Sequence, residues 1–112
     1  MLRRHFLAAA AVAAVVAGGG LPAHAQQTTK IGLILPMTGP FASTGRQVEN
    51  AAKLYIAQNG DTVAGRKIEL IVRDDTGAPD VTRRLAQELL VNEKVSVLAG
   101  FGLTPNAFAV AP

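Results

Sequence analysis

The chain contains no cysteine and no tryptophan, and its two histidines, His5 and His24, both lie in the first 25 of its 112 residues. Those 25 residues read as a removable leader. "MLRRH" is a short positive region and "FLAAAAVAAVVA" is an apolar run of twelve. "GGGLP" breaks any helix, and "AHA" (Ala23 to Ala25) places small residues where a signal peptidase cuts. This is the three-part form of a secretory signal peptide, with cleavage expected after Ala25. Twelve apolar residues fall short of the about 20 that a membrane anchor needs. Arg3 and Arg4 also fit the twin-arginine signal, so both that route and the general secretory route stay open.

The expected exported part, 26–112, therefore has neither Cys nor His. That excludes disulfides, thiol nucleophiles, Ser-His-Asp triads on this segment and the usual zinc ligand sets. A chain sent to an oxidising compartment without cysteine must hold together without staples. An excess of charge is missing too. The whole chain carries +3, but without Arg3 and Arg4 nine basic residues face eight acidic ones, a net +1. No basic patch points to nucleic acid. No "GxxxxGK[ST]" occurs and no "GxGxxG" follows the first apolar run, which argues against a nucleotide site. No cofactor and no metal are expected, and an enzyme is disfavoured.

What is present is an alternation of short apolar runs and amphipathic stretches. "KIGLIL" (Lys30 to Leu35) reads as a strand buried on both faces. "PMTGPFASTG" is a loop rich in Pro and Gly, and "TGRQ" matches a capping box with Thr44 as N-cap and Gln47 reaching back. Val48, Ala51, Ala52, Tyr55 and Ile56 recur at helical spacing, which predicts a helix over Gly45 to Asn59 with Tyr55 in the core. Asn59-Gly60 ends it, and "GDTVAG" is a tight connection. A second strand is expected over Arg66 to Asp75. Pro79 opens a second helix, with Val81, Leu85 and Leu89 buried and Arg83, Arg84, Gln87 and Glu88 facing water. "VSVLAGF" (Val95 to Phe101) is a third strand. Thr104 as N-cap and Pro105 in the first turn then start a third helix.

The order β-α-β-α-β-α predicts an α/β fold with a parallel sheet covered by helices on both faces. If the first strand lies between the other two, a crevice opens at the carboxyl ends of the first and third strands. Around it fall "PMTGPFASTG" and "GFGLTP". Thr104 is then either a plain helix cap or part of an anion site, where unpaired N–H groups and the helix dipole hold a carboxylate. Gly100 and Gly102 let the backbone approach a ligand closely. Thr38, Ser43 and Thr44 in the first loop offer hydroxyls, for structure or for binding. Asp74 and Asp75 point to opposite faces, so they suit turns and caps better than acid–base chemistry. Three parallel strands and a helix just begun leave edges and an apolar face open. The sequence is accordingly expected to be the amino-terminal part of a longer protein, a truncated product or partial gene model that binds poorly by itself.

"KIGLILPMTGPFASTG", "GRKIELIVRDD" and "VSVLAGFGLTPNAFAVAP", following a signal peptide, together resemble one transport family. They are similar to the periplasmic substrate-binding proteins of ABC transporters, in the branched-chain amino acid (leucine/isoleucine/valine-binding) family. The resemblance covers Lys30 to Pro112 and is specific as an ordered set. It implies the start of lobe 1 of a two-lobe, type I fold that closes on its ligand by a hinge. It also implies a periplasmic receptor delivering an amino acid, amide or small organic acid to an ABC permease. A sensor domain of the same fold is the alternative. In that family the turn after the third strand holds the ligand carboxylate through a Ser or Thr and backbone N–H groups. Here that turn is Gly102, Leu103, Thr104 and Pro105. Amino acid binders commonly place an aromatic residue in the loop after the first strand. This chain has Thr44 there, with Phe41 three residues earlier, a departure that weighs against an aliphatic amino acid. Relatives in the family also bind aromatic acids.

Overall fold

The computed structural model describes residues 26–111. The expected leader, 1–25, lies outside them. The elements are β1 (Thr28–Leu35), α1 (Ala42–Asn59), β2 (Thr62–Val63), β3 (Arg66–Asp74), α2 (Pro79–Val91), β4 (Val97–Gly100) and α3 (Thr104–Val110). The sheet order is β2-β3-β1-β4. β1 pairs in parallel with β3 and with β4, while β2 runs antiparallel to β3. The first strand is thus central, as the alternation of elements implied. β2 is an addition to the sequence reading, which had only a tight connection there. Its turn holds Ala64 at φ 49° and Gly65 at φ 76°. Two successive positive φ values make a turn whose twist matches the flanking strands.

The core lies on one face of the sheet. Ile34 from β1 packs with Leu85, Ala86 and Leu89 of α2 and with Val95, and Ile71, Leu98, Phe101 and Val110 close around them. Gly32 allows the helix this near: a Cβ there would stand 2.9 Å from Leu89 Cδ1 and 3.1 Å from Leu98 Cδ2. Leu85 and Leu89 are buried as the helical spacing required, Val81 is partly so, and Pro79 opens α2.

The other face is different. Ile31, Leu33, Ile68, Leu70 and Ala99 of the sheet and Ala52, Tyr55 and Ile56 of α1 line an apolar cavity of about 440 Å³. Tyr55 is 69% exposed and Val48 41%, which corrects the expectation of Tyr55 in the core. The spacing placed Tyr55 on the correct stripe, but among the described residues nothing covers that side of α1.

The start of α1 is a second correction. The helix begins at Ala42, with Phe41 as N-cap and no side-chain cap. The Gly45 N–H donates to the Phe41 carbonyl (3.1 Å), so the first helical bond forms three residues before the expected start. Thr44 therefore lies inside the first turn, and Gln47 meets Ser43 Oγ at 3.4 Å in place of a backbone N–H. Gln47→Ala should then change the stability by less than about 0.5 kcal/mol, the range of an ordinary surface change. A functioning capping box would cost more in a urea melt.

Candidate functional site

The carboxyl ends of β1, β3 and β4 carry three loops, and the two aspartates that end β3 organise them. Asp74 serves the loop after β1. Its Oδ1 accepts from the Met37 N–H (2.8 Å) and the Thr76 N–H (2.8 Å), and its Oδ2 from the Thr38 hydroxyl (2.7 Å). Burial alone would push this carboxyl up. The Thr38 hydroxyl and the N–H groups of Thr76, Met37 and Thr38 outweigh it and hold Asp74 below the usual carboxylate value. Thr38 is thereby committed to the fold and is not free for a ligand.

Asp75 is wholly buried and accepts from the Gly77 N–H (2.8 Å), the Thr82 hydroxyl (2.9 Å) and Asn106 Nδ2 (2.7 Å). The Thr82 hydroxyl lies equally close to the Ala78 carbonyl (2.9 Å) and shares its one proton between the two acceptors. Of the turn or cap duty read from the sequence for both aspartates, the geometry shows the turn: each accepts the N–H two residues on, and neither caps a helix. The arrangement also matters for charge. Two carboxylates near an anion site repel an anion, but here each meets three donors from its own fold.

The loops converge. A Cβ on Gly77 would lie 3.4 Å from Leu103 Cδ1 and 4.0 Å from a ring carbon of Phe41. Gly102 backs onto Pro36, whose Cδ would be 2.8 Å from a Cβ placed there. Phe41, Leu103 and Gly102 are therefore brought together, with Phe41 still 48% exposed. Thr44, Thr104 and Pro105 are exposed on the first turns of α1 and α3. Two cavities among the described residues, the apolar one under α1 and the one between α2 and α3, do not include these residues.

Thr104 is not the N-cap of α3. Leu103 holds that position with extended backbone, and Thr104 and Pro105 are the first two helical residues. Pro105 fits there because it has no N–H to leave unpaired. The Leu103 carbonyl takes the N–H groups of both Asn106 (3.1 Å) and Ala107 (3.2 Å). Among the described residues the donors left without a backbone partner at this turn are the N–H groups of Gly102, Leu103 and Thr104. The Thr104 hydroxyl stands beside them, freed from capping. What the arrangement can do chemically is grip an anionic oxygen next to an apolar shelf.

Sequence reasoning missed Asn106 and Gly77. Gly77 carried a faint signal, the "TGAP" turn, while Asn106 carried none because its partner Asp75 is 31 positions away. Asn106 is fully buried, and among the described residues its Oδ1 has no hydrogen-bond partner. A buried acceptor left alone costs about 1–3 kcal/mol.

Comparison with known proteins bears on the fold that carries these loops. The periplasmic binding protein family matches residues 28–112. A Leu/Ile/Val-binding protein homolog of Brucella abortus is 43% identical over 84 residues, which is 74% of this chain and 22% of the relative. A solute-binding protein of an ABC transporter from Rhodopseudomonas palustris BisB5, solved with 3,4-dihydroxybenzoic acid, is 66% identical with a TM-score of 0.75, over 76% of this chain and 23% of that one. A second from R. palustris, solved with 4-hydroxybenzoate, is 41% identical with a TM-score of 0.73, over 77% and 24%. A leucine-binding protein from Thermotoga maritima is 30% identical with a TM-score of 0.70, over 75% and 24%. The chain thus spans about a quarter of the length of these proteins, and its parallel sheet is part of their type I fold. It belongs to the periplasmic binding protein family.

Proposed function

We propose that this chain carries one wall of the binding site of an exported solute receptor, which takes a small aromatic carboxylic acid and delivers it to an ABC permease. The observation that carries this is the approach of both Phe41 and Leu103 to Gly77, beside the three free N–H groups of Gly102, Leu103 and Thr104. An apolar shelf next to unpaired donors matches a ring bearing a carboxylate. The carboxylate lies on the donors and the Thr104 hydroxyl, with Gly102 allowing close approach, Pro105 fixing the turn, and Phe41 and Thr44 contacting the rest of the molecule from the opposite loop. The N–H groups and hydroxyl supply charge-assisted hydrogen bonds without a basic side chain.

One similar protein supports an aromatic acid over leucine: the one solved with 3,4-dihydroxybenzoic acid shares more identity with this chain, 66%, than the Leu/Ile/Val-binding homolog, 43%, or the leucine-binding protein, 30%. Residues 1–25 serve as the signal peptide, removed after Ala25, and direct export to the periplasm by the general secretory or twin-arginine route.

Calorimetric titration of the full-length gene product tests the reading. Benzoate, 4-hydroxybenzoate and 3,4-dihydroxybenzoate should bind more tightly than leucine, and benzamide, isosteric but uncharged, more weakly than benzoate. Thr104→Val should weaken the acids by roughly 10-fold or more, the worth of one hydrogen bond to a charged group. Equal affinity for benzoate and benzamide would rule out the carboxylate grip.

A further inference from the structure

We infer that Asn106 is a positioning residue: its carboxamide, fastened to the buried Asp75 carboxylate, holds the first turn of α3 where Gly102, Leu103 and Thr104 present their free donors. The inference rests on the ligand reading above for its functional consequence, though not for its structural content.

The geometry is that of a single buried carboxylate joining the ends of several elements. The Asp75 N–H donates to the Leu35 carbonyl at the end of β1 (3.0 Å). Its side chain takes the Gly77 N–H in the loop, the Thr82 hydroxyl in α2 and Asn106 Nδ2 in α3. All three side chains, Asp75, Thr82 and Asn106, are fully buried. Asn106 is the third residue of α3, immediately after Thr104 and Pro105. Moving Asn106 therefore moves the turn that carries the free donors.

The direction of the carboxamide is dictated by chemistry. The NH₂ group is the only donor of the carboxamide, and it is this group that faces the Asp75 oxygen. Its Oδ1 then faces away, buried and unpartnered. A side chain kept for packing alone has no reason to carry that orphan acceptor, since an apolar residue of similar size fills the same space without it. A side chain kept to fix the distance between α3 and β3 does. The other holds on α3 are weaker for this purpose. Arg83 Nε donates to the Ala109 carbonyl (3.2 Å), but this lies at the far end of the helix and is exposed.

The experiment uses the full-length gene product and reads amide hydrogen exchange by NMR together with calorimetric binding of benzoate, 4-hydroxybenzoate and 3,4-dihydroxybenzoate. In Asn106→Ala, exchange at the amides of residue 106 and Ala107, which bond the Leu103 carbonyl and close the turn, should speed up 10-fold or more while Leu33 and Ile34 in β1 keep their rates. Affinity for the bound acid should fall 10-fold or more. Asn106→Ser, a milder change, gives the same comparison if the alanine variant does not fold. Unchanged exchange at the turn overturns the inference, as does a rise spread evenly over the whole sheet, which marks a merely structural role. If the wild-type protein binds none of the three acids, the ligand reading fails by itself. The local exchange rates still decide whether Asn106 positions the turn.

Discussion

Gly100→Ala is expected to lower the unfolding free energy by about 3 kcal/mol or more, the sum of backbone strain and overpacking. Gly100 sits at φ 102°, a conformation that L side chains rarely adopt. A Cβ there would run into the Ile34 carbonyl oxygen and stand 3.1 Å from its carbon and 3.2 Å from its nitrogen. Those are backbone atoms of the central strand, wholly buried, and cannot swing aside as a side-chain tip does. The same carbonyl accepts the Phe101 N–H at 2.8 Å, so displacing it also breaks the pairing that leads into the β4–α3 turn. Gly65→Ala is the control. Gly65 also has positive φ, 76°, but a Cβ there meets nothing within 4 Å, and the cost should stay near the roughly 1–2 kcal/mol of the left-handed backbone alone. Urea melts of the two variants separate strain from collision. Equal losses would mean that the contact with Ile34 has no energetic weight.

Asp74→Ala is expected to cost about 2–3 kcal/mol at pH 7 and to loosen the loop that carries Phe41. Three hydrogen bonds to a charged acceptor are lost, each worth about 1.5–3 kcal/mol when buried. Thr38 and Thr76 are exposed, and solvent takes over part of what the carboxylate gave. The pH dependence has a definite sign. The folded carboxyl lies below its ordinary value, so the unfolded chain takes up a proton first as the pH falls. The contribution is fully present above the unfolded value of about 3.9 and is lost as the pH drops through the folded one. The stability difference between wild type and Asp74→Ala should therefore be flat from neutral pH to about pH 5 and shrink towards acid. A difference that stays constant down to pH 2 would contradict the hydrogen-bonded carboxylate.

Most of the sheet was legible in the sequence because its signals are local. "KIGLIL" is apolar without interruption, and that continuity is what a central parallel strand requires. Pro79 marks a helix start because it has no N–H to leave unpaired, and Gly60 marks a helix end by its positive φ of 86°. The start of α1 was not legible. Thr44 and Gln47 have the right letters for a capping box, but the Gly45 N–H bonds the Phe41 carbonyl, so a turn of helix has already formed before Thr44. The Ala42 N–H bond to the Gly39 carbonyl leads the chain into that earlier turn, which the local motif does not reveal. Tyr55 shows the same limit from the other side: helical spacing says which face it lies on, not what stands opposite that face.

The site followed the same rule. Gly102, Leu103, Thr104 and Pro105 could be placed at a turn from their order alone. The identity of the N-cap, and with it the freedom of the Thr104 hydroxyl, depends on which carbonyl the Asn106 and Ala107 N–H groups choose. Phe41 was singled out from its loop, yet its proximity to Leu103 runs across Gly77, from a third loop between them in sequence. Asp75 read as a turn or cap residue and Asn106 drew no reading at all; only the fold places Asn106 Nδ2 2.7 Å from the Asp75 carboxyl in the interior.

The most direct test is to locate the ligand. Amide chemical shifts of the full-length, isotope-labelled gene product, followed during titration with 4-hydroxybenzoate, report which residues of this lobe it touches. The largest changes should fall on Gly102, Leu103 and Thr104, with smaller ones at Phe41 and Gly77. Changes centred instead on Ala52, Tyr55, Ile56 and Val63, along the apolar cavity beneath α1, would contradict the assignment of the site to the carboxyl edge of the sheet.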